Sequence, residues 1–131
     1  MYPGLAGKSE MVVTEKDLVT GLGGMDIETL STPRLIQLLE AAALNAIQGI
    51  LPPDQISLGR SVRIDHLSPT PPGKKVRAHA MLKEIRQNRL VFRVDAWDES
   101  DKIAEGEHER VIVSRERFFQ KIERKKNLHV P

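Results

Sequence analysis

Two hydrophobic periodicities divide this chain of 131 residues. Between Leu30 and Gly49, Leu35, Leu38, Leu39, Ala42, Ala43, Ala46 and Ile47 recur at three- and four-residue steps, which predicts a helix with one broad apolar face. Thr32 followed by Pro33 predicts its start, with Thr32 as N-cap and proline at the first helical position, where a missing N–H costs nothing. Gly49 and Pro52-Pro53 end it. Downstream the period drops to two. In Ser57 to Leu67, Val62, Ile64 and His66 share one face while Arg63, Asp65 and Leu67 share the other. Lys75 to Ile85, Leu90 to Trp97 and Ile103 to Val113 also read as strands. Short turns separate them: Ser68 to Gly73, whose prolines cannot join a sheet ladder, then Arg86 to Arg89 and Asp98 to Asp101.

Before the helix, residues 1–8 read as a loose arm, Glu10 to Thr14 as a first strand and Thr20 to Gly24 as a glycine-rich connection. That loop lacks the Lys-Ser/Thr pair and the strand–loop–helix context of a phosphate site. A short helix is predicted from Ser114, and residues 120–131 form a charged tail. Four strands joined by short turns are antiparallel neighbours, and a single long apolar helix must bury itself against their sheet. The expected fold class is α+β: one domain over residues 1–131, with a curved antiparallel sheet of about five strands wrapped around one long helix, a hotdog arrangement.

Composition narrows the function classes. Hydrophobic residues make up 40%, enough for a globular core. Twenty basic residues against 18 acidic ones leave a net charge of +2, which gives no electrostatic case for nucleic acid. The basic run Glu123-Arg124-Lys125-Lys126 has no interleaved aromatics to stack on bases. The absence of cysteine excludes disulfides, thiolate metal sites and cysteine catalysis, and no metal site is expected. No apolar run reaches the ~18 residues of a membrane span, and the start lacks the pattern of a signal peptide. The expectation is a soluble cytoplasmic protein with no membrane partner.

Between Arg34 and Asp54 the only ionisable residue is Glu40. Each candidate residue also has a purely structural reading. Glu40 fits a solvated stripe with Gln37 and Gln48, Thr32 fits a helix cap, and Arg110 fits a surface ion pair. His66 fits a core or interface histidine; His79 and His108 lie in strand-like runs and rank below it.

The ordered set Ser31-Thr32-Pro33, Leu38-Leu39-Glu40-Ala41-Ala42, Leu58-Gly59, His66-Leu67-Ser68-Pro69-Thr70-Pro71-Pro72-Gly73 and Gly106-Glu107-His108-Glu109-Arg110 resembles the fluoroacetyl-CoA thioesterase-like branch of hotdog thioesterases. The resemblance covers roughly Met11 to Phe119, with eight residues from Thr32 to Glu40 and twenty-six from Glu40 to His66. It implies a homodimer, with further pairing to a tetramer open, whose sheets join edge to edge and whose active sites lie at the subunit interface. It also implies hydrolysis of an acyl-CoA thioester, with CoA as part of the substrate and no cofactor. The family's catalytic threonine, glutamate and histidine fall on Thr32, Glu40 and His66, its oxyanion-side glycine on Gly59, and its last-strand arginine on Arg110.

The chemistry asks for an activated nucleophile, an oxyanion donor and a proton for the departing thiolate. Glu40 is expected as central base or nucleophile, hydrogen-bonded by Thr32 and held by His66, with Glu40, Thr32 and water all open as nucleophile. Where the best-known member carries a lid phenylalanine, six residues before the threonine, this chain has Asp26, and no Phe, Tyr or Trp occurs between Pro3 and Val91. This counts against fluoroacetyl as the natural acyl group; the expected substrate carries a small or medium acyl group, with an aryl-acetyl group also open. Lys74, Lys75, Arg77, Arg60 and Arg63 are candidate contacts for CoA phosphates. The alternatives are a non-catalytic acyl-binding hotdog domain and, below it, an enoyl- or hydroxyacyl-CoA hydratase.

Overall fold

The computed structural model describes residues 1–22 and 26–128. Strand β1 (Ala6–Val12) leads through two short 3-10 turns to helix α1 (Thr32–Ala46). Four strands follow, β2 (Gln55–His66), β3 (Lys75–Arg86), β4 (Arg89–Trp97) and β5 (Lys102–Ser114), and then helix α2 (Arg115–Lys126). The five strands form one antiparallel sheet in the order β1-β3-β4-β5-β2. The glycine-rich loop expected over Thr20 to Gly24 is described only as far as Leu22, where a 3-10 turn ends, and its remainder lies outside the described residues.

Helix α1 packs on β1 and β3. It buries Leu35, Leu38, Leu39, Ala42, Ala43 and Ala46 against Val76, Ala78, Ala80, Leu82, Phe92 and Val94. Each large apolar side chain sealed there contributes about 1.5–3 kcal/mol. Gly7 sets the approach of β1 to the helix: a Cβ there would lie 2.3 Å from both the Ala42 carbonyl oxygen and the Ala46 nitrogen. Ser9 Oγ donates to the Leu38 carbonyl at 2.7 Å and Asn45 Nδ2 to the Lys8 carbonyl at 2.7 Å, so strand and helix are also tied by hydrogen bonds. The sheet's opposite face is charged and exposed, with pairs such as Lys83–Glu107 at 2.9 Å.

Several boundaries differ from the sequence reading. The first strand runs over Ala6–Val12, not Glu10 to Thr14, so the loose arm is shorter than residues 1–8: alternation weak in side-chain hydrophobicity is overridden by pairing with β3. The charged tail is helical as far as Lys126, its N-terminus capped by Ser114 Oγ accepting from the Arg117 N–H. The N-cap of α1 is Ser31, whose Oγ accepts from the Arg34 N–H at 3.2 Å, which makes Thr32 the first helical residue. Asp17, buried beneath the helix start, accepts from Arg34 Nε at 3.0 Å and fixes this end of α1.

Candidate active site

The one-residue shift of the cap has a chemical consequence. Ser31 satisfies the helix end, so the Thr32 hydroxyl is free, and its Oγ1 lies 2.8 Å from His66 Nδ1 at the end of β2. His66 is half-buried. Burial pushes its imidazole below the ordinary histidine value, an effect the Ser68 backbone partly offsets. Its Nε2 is buried with no hydrogen-bond partner among the described residues.

The second grouping lies eight residues along the helix, about 12 Å at 1.5 Å per residue. Glu40 sits only partly on the solvated stripe. Gln37 and Gln48 are exposed, but the Glu40 side chain is 38% exposed and turns toward β2 and β5. Its Oε2 lies 3.8 Å from Nη1 of Arg110, and a Cβ added to Gly59 would lie 3.1 Å from the same oxygen. Arg110 is no surface residue either: it is 4% exposed. Its Nε–H donates to Ser57 Oγ at 3.0 Å and its Nη2–H to the Ser57 carbonyl at 3.0 Å. Burial pulls its pKa below the ordinary arginine value, against the opposing charge of Glu40.

Strict alternation would put Gly59 and Val62 on opposite faces of β2. The register shifts between Gly59 and Ser61, so Gly59 pairs with Arg110 and Val62 with His108. Residues directly opposite in an antiparallel pair share a face, so this bulge turns Gly59 toward Glu40.

The structure therefore brings the five expected residues into two groups, Thr32–His66 and Glu40–Gly59–Arg110. The expected hydrogen bond from Thr32 to Glu40 is not made, because two helical turns separate them and His66 takes the hydroxyl. His108, ranked below His66 on the sequence, and Ser57, not singled out there, join the second group; the signal for His108 was its place two residues before Arg110, on the same strand face. His79 lies elsewhere, exposed and 3.1 Å from Asp95. The candidate phosphate contacts do not converge. Lys75 and Arg77 pair with Glu10 at the β1 side of the sheet, while Arg60 and Arg63 lie on β2 at the other edge. Among the described residues no group of histidines and carboxylates could hold a metal ion, and no helix is long and apolar enough to cross a membrane.

Comparison of shapes gives the class. A hot-dog-like protein from Thermanaerovibrio acidaminovorans matches with a TM-score of 0.89 at 23% identity over 97% of this chain and 94% of that one, which establishes the fold. A Thermus thermophilus protein of the thioesterase superfamily matches with a TM-score of 0.89 at 28% identity, covering 95% of this chain and 93% of its own. The crystal structure of a mutant fluoroacetyl-CoA-specific thioesterase matches with a TM-score of 0.87 at 31% identity, covering 95% and 97%. The protein is thus a hotdog-fold thioesterase. More narrowly, the family model of the fluoroacetyl-CoA-specific thioesterases matches residues 13–116, and the fluoroacetyl-CoA thioesterase of Streptantibioticus cattleyicolor is 36% identical over 98 residues, 75% of this chain and 70% of that protein. The chain belongs to that family and is an acyl-CoA thioesterase.

Proposed function

We propose that this protein hydrolyses a small or medium acyl-CoA thioester, other than fluoroacetyl-CoA, at a site completed by a second copy of the chain in the cytoplasm. The observation that carries the reading is the split of the machinery along α1. A hydroxyl–imidazole pair stands at one end and a carboxylate against a buried cation stands about 12 Å away. Neither grouping touches the other in one chain. Among the described residues His66 Nε2 lacks a partner, and an unpaired buried polar atom costs about 1–3 kcal/mol. Strand β2, which carries both His66 and Gly59, is a long sheet edge with unpaired backbone groups. A second copy added along that edge would cover it and bring its own α1 across from the first.

In this reading His66 Nδ1 accepts the Thr32 O–H, and its Nε2–H donates to the Glu40 carboxylate of the second copy. That is the arrangement of a hydroxyl, a base and an orienting acid. The hydroxyl oxygen attacks the thioester carbonyl while His66 takes its proton. The tetrahedral oxyanion is held by N–H groups at the α1 terminus or Gly59. As the C–S bond breaks, His66 returns the proton to the departing thiolate. Water then attacks the Thr32 ester by the same route and releases the free acid.

The acyl preference rests on Asp26, exposed where the family's lid residue falls, and on the lack of Phe, Tyr and Trp side chains from α1 through β3. The test is thiol release from a panel of short, medium and aryl acyl-CoAs, with fluoroacetyl-CoA included, for wild type and Glu40→Ala. Turnover of a non-fluorinated member that vanishes in the folded mutant is the expected result. Release unaffected by the substitution removes Glu40 from the reaction, and preferential turnover of fluoroacetyl-CoA removes the substrate assignment.

A further inference from the structure

We propose that His108 is a positioning residue for this reaction, the third point that fixes the plane of the Arg110 guanidinium and aims it at Glu40. The proposal rests on the reading above, in which Glu40 orients His66 of the second copy, and names a residue for which that reading has no role.

Arg110 meets Ser57 along one edge only, through Nε–H and Nη2–H. Two bonds to one residue act as a hinge; a third fixes the plane. That third bond runs from Nη1–H to His108 Nε2 at 3.2 Å. A guanidinium has no acceptor, so Nε2 must carry the lone pair. The imidazole proton then sits on Nδ1, where it donates to the Ser61 carbonyl at 2.9 Å. His108 is 1% exposed, with its ring stacked on Phe92 at a 6.3 Å centroid separation. The chain of contacts spans the β2 bulge, Ser57 before it and Ser61 after it, and ends at the one nitrogen of Arg110 that faces a carboxylate.

The cluster's chemistry requires a neutral ring. A proton on Nε2 would oppose N–H to N–H beside a buried cation and break the third contact. Burial, together with the Arg110 charge, holds the imidazole below its ordinary value, while the Ser61 backbone and Glu40 act in the other direction. With the clamp in place Nη1 stays 3.8 Å from Glu40 Oε2, beside Gly59, where a Cβ would meet His108 Cε1 at 3.5 Å. Without it, Arg110 can swing about the Ser57 edge, and the carboxylate loses its fixed neighbour.

Two amide substitutions separate the bonds. In His108→Gln the side-chain amide reaches the position of Nε2 and accepts from Arg110; in His108→Asn it reaches only that of Nδ1 and keeps the Ser61 bond. With the full chain and the best acyl-CoA of the panel, His108→Asn is expected to lower kcat about 10- to 100-fold with KM nearly unchanged, and His108→Gln to retain most of kcat. Equal impairment of the two variants, or a more active Asn variant, overturns the proposal in favour of plain packing. A second readout needs neither activity nor the variants. In wild type at neutral pH, nitrogen NMR should show His108 Nε2 unprotonated and the Arg110 Nη groups resolved. A protonated Nε2, or freely averaging Arg110 groups, sinks the clamp whatever the enzyme turns over. Failure of the thioesterase reading would appear instead as no wild-type turnover with the clamp signals intact.

Discussion

The Thr32 hydroxyl lies 2.8 Å from His66 Nδ1, although 34 residues separate the two along the chain. The contact exists because Ser31, not Thr32, closes the helix end. Thr32→Val removes the hydroxyl and keeps the shape. In the nucleophile role assigned to Thr32 this should lower kcat about a hundredfold or more, while the exposed position should shift stability by less than about 0.5 kcal/mol. Ser31→Ala, by contrast, should cost about 1 kcal/mol through loss of the cap. Acyl-CoA turnover and thermal melting of the two variants check the division of roles; unchanged turnover in Thr32→Val would leave the hydroxyl no part in the reaction.

If each site draws Thr32 and His66 from one copy and Glu40 from another, inactive partners should rescue each other. Thr32→Val and Glu40→Gln proteins, refolded together, form mixed dimers in which one site carries every intact group. Random assortment makes half the dimers mixed with one good site each, so about a quarter of wild-type activity should return. Activity that stays at the level of the separate mutants would place all three groups within one chain.

The helix, the sheet and their antiparallel order were legible because two hydrophobic periods mark them, and a single apolar helix has one place to go. Thr32, Glu40, His66, Gly59 and Arg110 were legible as a set only through their order and spacing. Their grouping was not legible. The choice between Ser31 and Thr32 as cap is a difference of one residue between two good caps, and it decides whether the Thr32 hydroxyl is free. The bulge beside Arg60 reverses the face of Gly59, which no count by twos reveals. Arg110 and His108 read as polar residues on a strand, yet their mutual hydrogen bond and the Ser57 contacts are what make their burial tolerable.

Gly59→Ala tests how tightly Glu40 is held. The new Cβ would stand 3.1 Å from Glu40 Oε2 and 3.6 Å from Arg110 Nη1. The nearest obstacle is the end of a flexible side chain, so the fold should survive with little loss of stability. The carboxylate must give way by a few tenths of an ångström, and since a 1 Å misplacement costs about a hundredfold, this smaller displacement of the group that orients His66 should lower kcat/KM about 3- to 10-fold. A Gly59→Ala protein that is folded and as fast as wild type would show that the Glu40 position is not critical.

Acid should weaken the fold in two stages. His66 and His108 are both held below the ordinary histidine value, burial being the largest cause for each. In the unfolded chain they take up protons near pH 6.5 while the folded chain still resists, so the unfolded state binds more protons and stability falls as pH drops. Above that pH neither state is protonated, and these groups leave stability flat. A second loss comes lower. The Asp17 and Asp98 carboxyls are held down despite burial, Asp17 by Thr14 and Arg34, Asp98 by the backbone N–H groups of Asp101 and Ser100 and by Thr70. Their stabilising effect is complete above the unfolded carboxyl range near pH 3.9 and fades as pH falls through their lower folded values. Melting temperature measured from pH 8 to pH 3 should therefore be level at first, decline below about pH 6.5, and decline again below about pH 4. In His108→Gln the first decline should be shallower, since a titrating ring has been replaced by an amide that holds the same contact to Arg110. An unchanged first decline in that variant would assign the effect to His66 alone.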